Sequence, residues 1–168
     1  MKDRISLIAA LSLNNVIGHK GHLPWRLPAD HEYFWRTAGG KAFIMGRGSF
    51  EVDEPLLSDY KNIILTSQPD RIPSSDTVST AQNLKEAIDH LREEPEIFIL
   101  GGGKVFREAI RVADRMYLSI VEAVVEGDAY FPEPNWTEWH LVLSHRYAPD
   151  ANNSLAFSAN VYDRKRRP

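Results

Sequence analysis

The sequence predicts an α/β fold: a largely parallel sheet with helices on its faces and an antiparallel edge toward the C-terminus. Two observations lead there. Four short, nearly continuous apolar runs end in small or turn-forming residues, as strands covered on both faces do. Segments with apolar residues at helical spacing stand between and after them, and alternation of strand with helix is the pattern of parallel sheets.

The first strand is "ISLIAAL", residues 5–11. The stretch "LPADHEYFW", 27–35, opens a helix at Pro28, and its Leu27, Asp30, His31 and Phe34 follow the i, i+3, i+4, i+7 spacing of one helical face. Strands follow at "AFIMG", 42–46, and "NIILTS", 62–67. A helix at "NLKEAIDHLREE" carries Leu84, Ala87, Ile88 and Leu91 on one side. The run "EIFILGGG", 96–103, is the next strand, and "KVFREAIRVA" repeats the helical spacing with Val105, Ala109 and Val112. The last three segments, "RMYLSIVEAVV", "TEWHLVLSHRYA" and "LAFSANVYDRK", read as successive strands of an antiparallel edge. Residues 14–25, 67–76 and 126–136 are rich in turn formers and read as irregular loops, where function usually sits.

A chain of 168 residues fits a single domain over 1–168. Hydrophobic residues at 43% and charged residues at 26% are ordinary globular values, and the formal net charge of -3 argues against a polyanion partner such as nucleic acid. The basic ending "DRKRRP" lacks an aromatic or second basic cluster and reads as a solvated tail. The absence of cysteine removes disulfides, thiolate metal sites and cysteine nucleophiles. The six histidines show neither HxxxH nor HExxH spacing, and His19 and His22 lack a third ligand nearby, so no metal is expected. No apolar run is long enough for a membrane span and no signal peptide is recognisable, so a cytoplasmic protein is expected.

Asp30 raises the first chemical question. A first-turn acid suits the positive end of a helix, but that effect needs no inward orientation. A carboxylate on the apolar face is partly desolvated, which raises its pKa and calls for a hydrogen-bond partner that a ligand could supply.

Two glycine-bearing strand ends raise the second. "ILGGGKVF", 99–106, lets backbone amides approach a phosphate at a helix start, or simply relieves crowding in a tight turn. It is neither a P-loop, since Val105 follows Lys104, nor GxGxxG, since Phe106 takes the last glycine's place. "IMGRGSFE", 44–51, adds Arg47, whose planar fork suits a phosphate, and "LTSQP", 65–69, adds Ser67 and Gln68 as donors. Loops of this kind could hold the ends of one dinucleotide.

These pieces, in this order and over nearly the whole chain, resemble dihydrofolate reductase of the bacterial chromosomal type. The motifs are "ISLIAALSLNNVIG", "LPWRLPADHEYF", "IMGRGSFE", "KNIILTSQ", "EIFILGGGKVF" and "MYLSIVEAVVEGDAYFP". The resemblance implies a mixed eight-stranded sheet, NADPH along the strand ends and a deep pterin pocket. It also implies an oxidoreductase of tetrahydrofolate synthesis in one-carbon metabolism, an antifolate target, acting as a monomer on a small substrate.

By resemblance, Asp30 hydrogen-bonds the pterin N3 and 2-amino group, and Ser119 stands where the family usually has a threonine bonded to that acid. Leu23 lies in the mobile loop 18–24, where relatives carry methionine, and Trp25 lies just behind it. Ile8, Ala10, His31, Phe34, Leu56, Tyr60 and Leu100 are the further substrate-side residues. Ala10, Ile17, Gly18, Gly46, Gly48, Ser49, Leu65 and Thr66 are expected on the cofactor. Arg47, Ser67 and Gln68 match the group around the 2'-phosphate. Gly101 and Gly102 match a cis glycine pair, and Gly103, Lys104, Val105 and Phe106 continue the pyrophosphate segment. Asp128 matches the acid that bonds the closing loop. The reaction implied is hydride transfer to pterin C6 with protonation of N5.

The chain departs from the family pattern at the substrate's glutamate tail. Tyr60 stands where an arginine is usual, and Trp35 stands where a basic residue is often found. Lys61 and Arg36 are the candidate replacements. A reductase of a pterin lacking glutamate, and a riboflavin-pathway type of reductase, are the alternatives this leaves.

Overall fold

The structure is a computed structural model that describes residues 4–166. Strands β1 (Arg4–Ser12), β3 (Ala42–Gly46), β4 (Lys61–Leu65), β5 (Val78–Ala81), β6 (Glu96–Ile99), β7 (Arg115–Val121), β9 (Trp139–Tyr147) and β10 (Phe157–Arg164) form an eight-stranded sheet in the order β5-β4-β3-β6-β1-β7-β10-β9. Helices α1 (Pro28–Ala38), α2 (Arg47–Phe50), α3 (Leu84–His90) and α4 (Gly103–Ala109) connect or flank them, and β2 (Val16–Gly18) pairs with β8 (Ala129–Tyr130) in a separate ribbon.

Strand pleating sends neighbouring residues to opposite faces. Leu7, Ile44, Ile63, Ile97 and Ile99 pack with Leu84, Ala87 and Leu91 of α3 and with Val105, Phe106 and Ala109 of α4. Their neighbours Ile8, Phe43, Met45, Ile64 and Phe98 pack on the other face with Ala38, Phe34 and Trp35 of α1. Continuous apolar runs are therefore what a sheet covered on both sides requires. No helix among the described residues is long and apolar enough to cross a membrane.

The antiparallel edge is narrower than the sequence suggests. β7 pairs parallel with β1, and only β10 runs against its neighbours, inserted between β7 and β9. The reason is α4, a helical crossover that returns the chain to run parallel with β6 and β1. β9 and β10 then follow as a hairpin, the inner partner being the later strand. Three short strands fall outside the sequence reading: β5, and the β2 and β8 segments inside two stretches read as irregular.

The six parallel strands β1, β3, β4, β5, β6 and β7 end on the same side of the sheet. Their C-terminal ends, the outlet of an open α/β sheet, carry the candidate site.

Candidate functional site

The substrate side is assembled by strand parity. Ala10 lies in register with Ser119, and Ile8 with Tyr117, so all four face α1. Leu100 and Phe34 pack at the margin of the same α1-face cluster as Ile8. Leu57, next to the expected Leu56, joins that cluster, while Leu56 is half-buried beside it.

α1 brings Asp30 into this space. Its N-cap, Leu27, has no side chain able to accept a hydrogen bond, and the amides of Asp30 and His31 donate to the Leu27 carbonyl at 3.0 and 3.1 Å. The amide of Ala29 donates instead to Oδ1 of Asn153, 3.0 Å away and 124 residues further along the chain. Asn153 is buried, and Asp150 holds it by accepting its Nδ2–H at 3.0 Å and its backbone N–H at 2.8 Å. Neither residue is signalled in the sequence, because an Asx cap from a distant loop has no local pattern.

Burial pushes the Asp30 carboxyl above its ordinary value, while a hydrogen bond from the buried Ser119 hydroxyl and the neighbouring His31 pull it back. The apolar-face carboxylate inferred from helical spacing is thus an acid in a desolvated setting with one donor. His31 shares the expected face only in part: it is exposed at the rim, where its Nε2 accepts the indole N–H of Trp35 at 3.1 Å.

Behind α1's start, Trp25 packs with Leu27, Val121 and Phe157, and its indole N–H is buried with no protein partner among the described residues. Leu23 is exposed on the preceding loop. That loop is a tight hairpin: His19 and His22 exchange backbone hydrogen bonds of 2.8 and 3.0 Å around Lys20 and Gly21, both at positive φ. Asp128 pins it, accepting the Lys20 amide at 2.9 Å and donating its own N–H to Gly18 at 3.0 Å. Gly127 is a glycine because a Cβ there would stand 2.2 Å from the Val16 side chain.

On the other side, the β3–α2 and β6–α4 turns lie together. The Gly46 amide donates to the Gly101 carbonyl at 2.7 Å, and a Cβ on Gly102 would reach ordinary contact with the Ser49 hydroxyl at 3.7 Å. A cis peptide joins Gly101 and Gly102. Gly101 has φ +110, and a Cβ there would strike the Phe106 ring at 2.7 Å. Both helix starts have glycine N-caps, Gly46 and Gly102, with no side-chain cap, which leaves their first-turn amides open to a ligand. Arg47 is half-exposed, with Glu51 at 3.4 Å. Thr66 Oγ accepts the Gln68 amide at 2.9 Å, shaping the turn that exposes Ser67 and Gln68 beyond Leu65. Lys104 is exposed and Val105 buried, while Ile17 packs on the α3–α4 side of the core.

Phe106 has no atom for a cofactor. Its ring is core against Phe131, its N–H donates to Gly102 and its carbonyl accepts from Ile110. Its place beside the glycines in sequence reflects packing under Gly101. Gly103 is likewise small for an internal reason, a Tyr130 carbonyl 2.8 Å from where its Cβ would be.

The tail-side positions are occupied. The Tyr60 hydroxyl donates to Glu94 at 2.7 Å, and Lys61 Nζ reaches the same carboxylate oxygen at 2.8 Å. No cluster of three or more possible metal-ligating side chains occurs among the described residues.

The family model described as dihydrofolate reductase matches residues 4–164. A dihydrofolate reductase of Haemophilus influenzae is 36% identical over 148 residues, 88% of this chain and 91% of that relative. One from Bacillus subtilis is 35% identical over 161 residues, 96% of this chain and 95% of its own. Among solved structures, dihydrofolate reductase from Enterococcus faecalis complexed with NADP(H) and RAB-propyl matches with a TM-score of 0.86 at 29% identity, covering 99% of this chain and 100% of that one.

Proposed function

The chain belongs to the dihydrofolate reductase family, and from that premise we propose that it catalyses NADPH-dependent reduction of 7,8-dihydrofolate to 5,6,7,8-tetrahydrofolate. The observation that carries this reading is Asp30, a desolvated carboxylate bonded by Ser119 at the outlet of the sheet, beside two glycine turns.

The cofactor side fits a dinucleotide. The uncapped first turns of α2 and α4 stand next to each other, with Ser49 beside Gly102 and open space around Gly48, where a Cβ would meet nothing within 4 Å. Amides of Gly48, Ser49 and of residues 102–105 would take the pyrophosphate, and Arg47, Ser67 and Gln68 the 2'-phosphate that separates NADPH from NADH. When bound, NADPH supplies the hydride that pterin C6 accepts.

The protein's own share is positioning and electrostatics. As a carboxylate, Asp30 accepts from the pterin N3–H and 2-amino group, two parallel bonds that fix the ring's orientation. Ser119 holds the carboxylate, and Ile8, Ala10, Phe34 and Leu100 bound the ring with apolar surface. Water is the carrier of the N5 proton, and the buried Trp25 N–H behind the start of α1, which has no protein partner among the described residues, is a donor able to hold one. The loop carrying Leu23, pinned through Lys20 and Asp128, closes the site against bulk solvent.

The test is NADPH oxidation with three substrates: dihydrofolate, a dihydropterin lacking glutamate, and the deaminated riboflavin precursor. Turnover of the first, with none of the last, is expected. Turnover of the riboflavin precursor alone, or of none, overturns the reading.

A further inference from the structure

Beyond Asp30 the site opens along the rest of α1, where Phe34 and Trp35 together with Phe50, Leu57 and Leu100 form a half-buried apolar wall. Whatever a substrate carries beyond its pterin leaves along this wall, past the exposed His31. The charges there are already matched. Arg36 is in an i, i+4 pair with Glu32 at 3.9 Å and also reaches the Tyr147 hydroxyl, and Lys61 is bound by Glu94 at 2.8 Å. An anionic tail would compete with Glu32 or Glu94 for Arg36 or Lys61, and an exposed ion pair of this kind contributes little, so neither cation makes a strong carboxylate site.

His31 offers something else. Its Nε2 accepts the Trp35 N–H, so a neutral ring carries its own proton on Nδ1. Trp35 is itself fixed by edge contact with Phe34 at 4.9 Å and by Phe43 at 6.1 Å between ring centroids. With Nε2 engaged by Trp35, Nδ1 is the nitrogen of the exposed His31 ring left for a ligand, one residue from Asp30.

Resting on the function proposed above, we infer that His31, oriented by Trp35, determines specificity beyond the pterin by donating to an amide or aroyl carbonyl, so that the tail is read as a neutral acceptor next to an aromatic wall and its carboxylates are not read. His31 touches substrate; Trp35 is a positioning residue.

Three substrates separate the possibilities in steady-state assays with saturating NADPH: dihydrofolate, 7,8-dihydropteroic acid amide, which keeps the aroyl carbonyl but has no carboxylate, and 6-methyl-7,8-dihydropterin. KM for the first two is expected within about threefold, insensitive to added KCl, and at least about tenfold below that of the third. His31→Leu should raise KM for the two long substrates by about three- to tenfold relative to its effect on the short one, the worth of one hydrogen bond. Trp35→Phe, which keeps a ring and removes the N–H, should move KM the same way with kcat nearly constant, and His31→Gln should restore part of the loss. A KM for dihydrofolate more than tenfold below that of the amide, weakened by salt, overturns the inference while leaving the reductase function standing. So does His31→Leu acting equally on all three. Absence of turnover with every substrate overturns both.

Discussion

Oδ1 of Asn153 accepts the amide hydrogen of Ala29 at 3.0 Å, and this bond joins the β9–β10 connection to the first turn of the helix that carries Asp30. Leu27 at the N-cap cannot do this work, so the cap comes from across the chain. Asn153→Ala should cost roughly 1 kcal/mol in urea unfolding, the usual worth of a cap. It should also raise KM for dihydrofolate, because the frayed turn carries the pterin ligand, and Asn153→Asp should recover little of either, since it puts a second carboxylate where Asp150 accepts the Asn153 N–H. Unchanged KM with reduced stability would mean the cap serves the fold alone.

Asp150, which holds Asn153, has its carboxyl below the ordinary range, first through the Asn153 side chain and then through the amides of Asn152 and Asn153. A depressed carboxylate contributes stability above its unfolded pKa, and that contribution is lost as pH falls through the folded pKa. The acid limb of a stability curve should therefore be shallower in Asp150→Ala than in the parent chain.

Asp30 runs the other way. Its folded pKa lies above the ordinary 3.8, so the folded chain holds the proton more tightly than the unfolded one. Stability is greatest below the unfolded pKa, declines as pH rises through the folded value, and stays lower at neutral pH. Asp30→Asn should then stabilise the ligand-free protein at pH 7 by roughly 0.5–2 kcal/mol, the scale of a functional site's stability cost, and do so less at acidic pH. Equal melting shifts at both pH values would contradict this account of burial.

Ser119 is the larger of the two groups that pull Asp30 back toward ionisation. Removing the hydroxyl in Ser119→Ala should move the acid limb of the kcat/KM profile to higher pH, and Ser119→Thr should return it. The profile is the readout, since a packing role for this buried residue would leave the limb where it is.

The loop pin gives a kinetic expectation. Asp128→Ala removes the acceptor of the Lys20 amide, a bond worth about 1 kcal/mol, so the closed hairpin should lose about fivefold in population and kcat should fall accordingly. Stopped-flow measurement of the hydride step at saturating substrates checks it.

The sheet and the desolvated placement of Asp30 were legible because each rests on local signals. Apolar runs ending in glycine mark strands that stop at tight turns, and the i, i+3, i+4, i+7 spacing placed Asp30 inward. What escaped depends on distant partners. Nothing near Asn153 in the chain points to Ala29, and the pairing of β7 with β1 follows from the crossover through α4, which the three-strand pattern at the C-terminus obscures. Phe106 looked like part of a phosphate segment by adjacency alone, whereas its ring supports Gly101 from beneath. His31 sits on the expected helix but turns to Trp35 at the rim.

The most direct measurement is the stoichiometry and rate of NADPH oxidation with 7,8-dihydrofolate, run on the parent chain and on Asp30→Asn under identical conditions. One NADPH consumed per tetrahydrofolate formed, with kcat/KM lower by roughly 10²- to 10³-fold in the variant, is the expected result for a carboxylate that orients and polarises the pterin. A folded parent chain that consumes no NADPH with dihydrofolate, or an Asp30→Asn enzyme as fast as the parent across pH, would contradict the account.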